Sequence, residues 1–364
     1  MYQHLIGASK FVILLAAFLL GSVVYATELY PVGLKQLNYV DSERSNWQGN
    51  GPRPLSGLLW YPAKKGSKVE DLDIAIFKVG KFAIKAAMSE DVAKMPLIVI
   101  SHGTGGSAAT MSWLASTLSS EAYLVAAVNH HGNTAVEEEK RAEGFLAWWE
   151  RPRDISVLID RLLQDPEIGP RIDTHRIGVA GFSLGGYTAI ALGGAKLNFR
   201  NWVNMCKSEE GKTQCQLPPE ATFSRQDALN LLEKPGPFQT ILAKSDDSYR
   251  DPRISAVFLT APVLASYMQP ESLSSIRVPV RIVVGDADDQ APLERNTRVF
   301  AQQIPNANYQ VLSKVGHYSF LPVCSMTGKI AAKLYCNDHA DVDRANIHAL
   351  VGQQALDFFK RELH

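Results

Sequence analysis

The chain has 364 residues, 37 basic and 37 acidic side chains, and 46% hydrophobic residues. This hydrophobic share is typical of a globular protein with a large core, and it excludes a disordered or fibrous chain. The balanced charge gives no electrostatic reason to expect nucleic acid or an anionic membrane as a partner.

The N-terminal segment has the pattern of a secretory signal. Met1–Lys10 carries one lysine and no acid, and Phe11–Val24 is almost wholly apolar but too short for a comfortable membrane span. Val24-Tyr25-Ala26 places small or branched residues where a signal peptidase cuts. We expect cleavage after Ala26, export to the periplasm or the extracellular space, and one domain over residues 27–364; the alternative is an uncleaved N-terminal anchor.

The four cysteines agree with an oxidising compartment. Cys206 and Cys215 are close together in one polar segment, and Cys324 and Cys336 in another, so local pairing is the simplest of three connectivities. No Cys-x-x-Cys or clustered Cys/His spacing supports a zinc site. The sequence therefore predicts the disulfides Cys206–Cys215 and Cys324–Cys336.

Strand and helix patterns alternate along the rest of the chain, beginning with two strands expected to pair antiparallel. The later apolar runs are short and continuous, as in parallel strands buried on both faces. The alternation predicts a mostly parallel, eight-stranded α/β sheet flanked by helices. The predicted strands are Leu34–Val40, Leu55–Tyr61, Leu97–Ser101, Tyr123–Asn129, Ile177–Ala180, Ile254–Thr260, Val280–Gly285 and Tyr309–Leu312. The predicted helices are Ala108–Ser120, Pro152–Leu163, Leu184–Leu192, Leu293–Gln303 and Asp343–Glu362.

Two insertions, at about residues 66–95 and 198–250, interrupt this alternation. In the first, Val69–Met88 has lysines at a spacing compatible with an amphipathic helix. Core packing is favoured for this helix over a lid or a membrane-surface role. The second insertion is polar and contains cysteines, and both are places where this architecture can build a small cap over its site.

The run from Gly181 to Gly185 has the Gly-x-Ser-x-Gly pattern of a nucleophile elbow between a strand and a helix. A serine on such a sharp turn needs neighbours without side chains two residues before and after it, and the two glycines meet that need. The turn predicts Ser183 as the nucleophile and the backbone N–H of Leu184 as an oxyanion donor. A glycine-rich turn with only a packing role is the alternative.

The loop after the third strand is rich in glycine. In His102-Gly103-Thr104-Gly105-Gly106 the backbone can approach a ligand closely, and Thr104 N–H is the candidate for the second oxyanion donor. We expect His102 to hold this loop rather than to transfer protons. A purely structural turn is the alternative.

The loops after the last two strands supply an acid and a base. Asp286, Asp288 and Asp289 compete for the acid; Asp288 is preferred, since the other two suit turn and cap positions. His317 follows the last strand, directly after Gly316 in a loop, and completes the order Ser, Asp, His. The other histidines have simpler interpretations: His130 and His131 as pocket-lining or hydrogen-bonded loop residues, and His175, His339, His348 and His364 as surface positions.

With these residues the chain resembles an α/β-hydrolase, and within that superfamily it is similar to the predicted dienelactone hydrolases that group with platelet-activating-factor acetylhydrolase. The resemblance implies ester hydrolysis through an acyl-enzyme on a small or lipid-like ester, without a metal or organic cofactor. The matching segments are Ser101–Gly106, Val128–Gly132, Arg151–Ile155, Gly181–Gly186 and Gly316–Phe320.

The chain also departs from those relatives. True dienelactone hydrolases use a cysteine nucleophile, whereas this elbow carries Ser183, so lactone hydrolysis is not implied. The mammalian acetylhydrolase has its acid soon after the strand that follows the nucleophile's strand; the matching region here, Asn204–Glu210, has no well-placed aspartate. The acid is therefore expected at Asp288. An amidase, peptidase or polyester hydrolase with the same three residues, or a binding protein without turnover, are the alternative functions.

Overall fold

The computed structural model describes residues 29–209, 211 and 215–364; the predicted signal segment lies outside these residues. The described part contains eleven strands: β1 Val32–Ser45, β2 Pro52–Pro62, β3 Glu70–Ile74, β4 Phe77–Ile84, β5 Met95–Ser101, β6 Leu124–Val128, β7 Ile172–Phe182, β8 Ile254–Thr260, β9 Val280–Gly285, β10 Ala307–Leu312 and β11 Val323–Cys324. They form one sheet in the order β10-β9-β8-β7-β5-β6-β2-β1-β4-β11, with β3 beside β4.

The six strands from β6 to β10 in the sheet order are parallel, and β1 and β2 form an antiparallel pair at one side. Every residue of β5 is buried. Its side chains alternate between two apolar clusters, with Leu97 and Val99 in one and Ile98 and Ile100 in the other. Because both faces of these strands are covered, their sequences are continuously apolar rather than alternating.

The prediction of eight strands was too low by three, and the predicted helix over Val69–Met88 was wrong. That segment forms the antiparallel hairpin β3–β4, and β4 also pairs with β1 and with β11. Val79 and Phe82 are buried while Lys78 and Lys81 are exposed. The strand alternation breaks at Gly80, which has φ +138, so the apolar residues are spaced three apart, as in a helix.

The predicted helices are present with shifted ends, and the described part of the second insertion contributes three more. The final helix packs against Ser112–Ser119 so closely that a Cβ on Gly352 would lie 2.8 Å from Thr117 Oγ1. No helix in the described ranges is long and apolar enough to cross a membrane. The helices are Ser112–Ser119, Ala142–Leu146, Glu150–Gln164, Leu184–Gly193, Phe199–Lys207, Arg225–Glu233, Pro237–Leu242, Pro270–Ser274, Thr297–Gln303, Met326–Ala331, Lys333–Cys336 and Arg344–Glu362.

Both predicted cysteine pairs lie at disulfide-bonding distance. The sulfur atoms are 2.00 Å apart in Cys206–Cys215 and 2.05 Å apart in Cys324–Cys336. The first pair joins the helix Phe199–Lys207 to Cys215, which lies beyond its C-terminal end, and the second joins β11 to the short helix Lys333–Cys336. Both disulfides therefore lie outside the parallel strands of the sheet.

Candidate active site

Ser183 occupies a sharp turn between β7 and the helix Leu184–Gly193, in a backbone conformation that non-glycine residues rarely adopt (φ +55, ψ −119). A Cβ on Gly181 would lie 2.0 Å from the carbonyl oxygen of Gly185, and a Cβ on Gly185 would lie 1.9 Å from that of Ser101. Both distances are far below contact, so these two positions require glycine. The strained turn projects Ser183 beyond the end of its strand.

Ser183, His317 and Asp288 form a continuous hydrogen-bonded chain, although they come from three separate loops. His317 Nε2 lies 2.9 Å from Ser183 Oγ, and His317 Nδ1 lies 2.8 Å from one carboxylate oxygen of Asp288. All three side chains are buried apart from a small exposed fraction. Of the three aspartates that competed from sequence, Asp288 alone bonds to the histidine among the described contacts.

The hydrogen bonds determine the tautomer of His317. The ionised carboxylate of Asp288 can only accept, so Nδ1 carries the proton and Nε2 presents its lone pair to the Ser183 hydroxyl. The backbone N–H groups of Gln290 and Ala291 also donate to Asp288 Oδ1, at 3.0 and 2.7 Å. The arrangement can take a proton from Ser183 and stabilise the resulting imidazolium.

The predicted oxyanion donors, Thr104 and Leu184, border cavities next to the nucleophile. Leu184 is the first residue of its helix, where no intrahelical carbonyl is available to the N–H group. The Thr104 loop approaches Ser183 closely, since a Cβ on Gly103 would lie 3.3 Å from Ser183 Cβ. The Asn133 side chain accepts the N–H of Gly105 at 2.6 Å and holds the loop at φ +61 there.

His102 is buried and holds this loop, as the sequence predicted. Its Nδ1 donates to the carbonyl of Gly103 at 2.7 Å, and its Nε2 accepts the N–H of His130 at 3.2 Å. Burial, reinforced by the nearby Arg151 guanidinium, holds the pKa of His102 well below its usual range. A neutral imidazole in this tautomer is what these two hydrogen bonds require.

A second buried polar network lies behind the loop and includes His130, which is a hydrogen-bonded residue, one of its two interpretations from the sequence. His130 Nδ1 donates to Asp154 at 2.9 Å, and the His130 Nε2 accepts the Ser101 hydroxyl at 2.9 Å. Arg44 and Arg53 are paired with Asp154, and although burial opposes its ionisation, they hold the pKa of this carboxyl well below its usual range. Burial lowers the pKa of His130 to about 3.

Arg151 joins this network to the oxyanion loop. Its guanidinium, 1% exposed, donates to the carbonyl of His102 and to the hydroxyls of Ser101 and Thr188. Burial lowers the pKa of Arg151 to about 9. The sequence signal for His130, Arg151 and Asp154 was their place in two segments that contribute to the family resemblance, Val128–Gly132 and Arg151–Ile155.

His348 was predicted at the surface and is buried. Its ring stacks on Trp113 with 4.5 Å between centroids, and Nε2 donates to the carbonyl of Ser319 at 3.2 Å. Burial, together with Arg344, lowers the pKa of His348 to about 4. His348, on the final helix, thus supports the turn that carries His317.

Two adjoining cavities lie beside the oxyanion loop, and Ser183 borders one of them. The histidine cavity, about 370 Å³, is bordered by Ser183, His317, Tyr318, Tyr335 and Glu220. The tryptophan cavity, about 290 Å³, is bordered by Leu184, Phe145, Trp148, Trp202 and Val203. Both insertions contribute to the cavity walls. The first borders the histidine cavity with its β3–β4 turn, and the second borders both cavities. The two cavities share Thr104, Pro218, Val263 and Gln290.

The comparisons with known proteins agree with this architecture. The family model described as platelet-activating factor acetylhydrolase, isoform II, matches residues 69–143, a stretch that includes Thr104 and ends before Ser183. A ferulic acid esterase from Streptomyces cinnamoneus has a similar structure, with a TM-score of 0.62, 21% identity, and coverage of 94% of this chain and 92% of the other. No curated protein matches the chain. The structural likeness identifies an α/β-hydrolase fold.

Proposed function

We propose that this α/β-hydrolase-fold protein is an exported serine ester hydrolase that acts on small or lipid-like carboxylic esters through Ser183. The observation that carries the proposal is the hydrogen-bonded chain from Asp288 through His317 to Ser183, which ends at a cavity large enough for a small ester. An ester carbonyl in that cavity would meet the nucleophile and its base together.

In this mechanism Ser183 Oγ attacks the ester carbonyl while His317 Nε2 takes the hydroxyl proton. Asp288 holds the ring and stabilises the imidazolium. The N–H groups of Thr104 and Leu184 bind the oxyanion of the tetrahedral intermediate, the step at which a preorganised donor contributes most. His317 then passes its proton to the departing alcohol, and water, activated by the same base, hydrolyses the acyl-enzyme.

Further support comes from the comparisons and from the cysteines. The matched family model and the similar solved structure are both named for ester-hydrolysing proteins. Two cysteine pairs at bonding distance fit an oxidising compartment, periplasmic or extracellular. Residues 27–364 would form the mature protein as a single α/β-hydrolase domain.

The test is turnover of p-nitrophenyl esters, together with labelling by a fluorophosphonate probe. We expect Ser183→Ala to lose turnover by several orders of magnitude and to abolish labelling. Ser274→Ala, the same change at an exposed serine, is the matched control and should retain both. Turnover retained by Ser183→Ala would overturn the assignment, and turnover of the matched anilide in preference to the ester would favour an amidase.

A further inference from the structure

The two cavities differ in their access to the proton donor. His317 borders the histidine cavity and not the tryptophan cavity, whereas Leu184, the residue after the nucleophile, borders the tryptophan cavity and not the histidine cavity. Thr104, the other proposed oxyanion donor, borders both. Ser183 itself borders the histidine cavity and not the tryptophan cavity, so a substituent of a tetrahedral centre on Ser183 would reach the tryptophan cavity only by extending past Leu184 and Thr104.

The route of the proton determines which cavity holds the alcohol part of the ester and which holds the acyl part. The departing alkoxide must receive a proton from His317 Nε2, so the alcohol part has to lie on the side of His317. The acyl part receives no proton and extends away from the histidine. This assigns the alcohol part to the histidine cavity and the acyl part to the tryptophan cavity.

The inner wall of the tryptophan cavity is apolar and aromatic. Phe145, Trp148 and Leu184 are buried there, and the ring of Trp202 packs edge-on against Trp148 with 4.7 Å between centroids. The two cations nearby are already engaged: Lys207 pairs with Glu233, and Arg225 donates to the carbonyl of Cys206. Burial of a hydrocarbon or aromatic acyl group in this space removes apolar surface from water and is favourable.

The histidine cavity carries polar groups of both signs. Glu220 lies against the oxyanion loop, where a Cβ on Gly105 would lie 2.4 Å from its Cβ, and its carboxylate hydrogen bonds with Tyr335. Lys140 borders the same cavity and donates to the backbone carbonyl of Glu220 at 3.0 Å. With one carboxylate and one ammonium facing the space, neither an anionic nor a cationic alcohol is favoured. Hydroxyl groups can use both as partners.

We propose, on the basis of the proposed function, that the preferred substrates are esters of an apolar or aromatic acid with a neutral, hydroxyl-bearing alcohol. The acyl group binds in the tryptophan cavity, and the alcohol binds between Glu220 and Lys140 in the histidine cavity.

The acyl assignment is tested with p-nitrophenyl acetate and p-nitrophenyl octanoate, which share one alcohol. Val203→Phe narrows the tryptophan cavity and should lower kcat/KM for the octanoate about tenfold relative to the acetate. Asn204→Phe places the same ring on the exposed face of the same helix and should leave the ratio unchanged. Equal effects of Val203→Phe on both esters would overturn the assignment.

The alcohol assignment is tested with hexanoate esters of glycerol, methanol and choline, followed by pH-stat titration. The parent should cleave the glycerol ester with the highest kcat/KM. Glu220→Met should lower this value about tenfold relative to the methyl ester, because hydrogen bonds to a charged group are lost. Glu138→Met makes the same change on an exposed part of a nearby loop and should preserve the preference. Fastest cleavage of the choline ester by the parent would overturn the neutral-alcohol proposal.

Failure of this inference is distinguishable from failure of the proposed function. If p-nitrophenyl acetate is hydrolysed and Ser183 is labelled by the fluorophosphonate, the hydrolase proposal stands whatever the selectivity series shows. If Val203→Phe alters the dependence on alcohol size at constant acyl group, the two cavities have been assigned the wrong way round and the inference fails alone.

Discussion

His317 Nδ1 lies 2.8 Å from Oδ2 of Asp288 and 3.0 Å from Oδ1, so the imidazole faces both oxygens of one carboxylate. Oδ1 also accepts two backbone N–H groups of its own loop. Four donor contacts thus hold this carboxylate in place, and the orientation of the imidazole follows from it.

Asp288→Asn should lower kcat/KM for p-nitrophenyl esters by about 10³ to 10⁴-fold. An amide can donate to Nδ1, which favours the tautomer that cannot accept the Ser183 proton. Asp286→Asn and Asp289→Asn are the matched controls and should lose far less, since Asp286 accepts the backbone N–H of Lys314 and Asp289 contacts the Gln290 side chain. Equal losses in all three variants would contradict the assignment of the acid.

Ser183→Gly should be more stable than Ser183→Ala, by about 1 kcal/mol in the free energy of unfolding. Strain at the positive φ of this position costs about 1–3 kcal/mol for a residue with a Cβ, which outweighs the roughly 0.5–1 kcal/mol that glycine loses in backbone entropy. Urea unfolding of the two variants measures the difference directly. Lower stability of Ser183→Gly would show that the turn is not strained.

Arg151→Met should lower kcat about tenfold or more with a smaller change in KM. The variant removes the donor to the His102 carbonyl, so the loop that carries Thr104 is free to shift, and small displacements of transition-state donors are costly. Arg153→Met, on the same helix but partly exposed, is the control. A change in KM alone, with kcat retained, would rule out this positioning role.

His348 should make the protein less stable as the pH falls from about 6.5 towards 4. Its pKa is about 4 in the folded state and about 6.5 in the unfolded chain. Between these values the unfolded state binds more protons, so the stability is fully present above pH 6.5 and is lost as the pH falls.

Urea unfolding at pH 7 and pH 5 measures this effect. The difference in unfolding free energy between the two pH values should be smaller in His348→Gln than in the parent by about 2 kcal/mol. His175→Gln, at an exposed position, is the control and should behave like the parent. An unchanged pH difference in His348→Gln would contradict the prediction.

Sequence patterns were sufficient to predict the bounds of strands that are buried on both faces. Strands such as β8 and β9 have the predicted bounds, because a strand covered on both faces is apolar throughout. The hairpin β3–β4 was missed because only part of it is buried and Gly80 shifts the alternation. His348 was misplaced because burial of one polar residue depends on its neighbour Trp113, which is distant in sequence.

The sequence by itself determined the chemical types and their order: a strained serine between two glycines, a late aspartate and a final histidine. Local turn geometry requires the two glycines, and the aspartate and histidine were identified from their places after the last two strands. Only the tertiary structure decided which side chains meet. The bond from Asp288 to His317, the buried network that joins Arg151 to the loop of Thr104, and the two cavities all involve residues far apart in the chain. Such contacts depend on how the sheet and its insertions pack, and no local pattern encodes them.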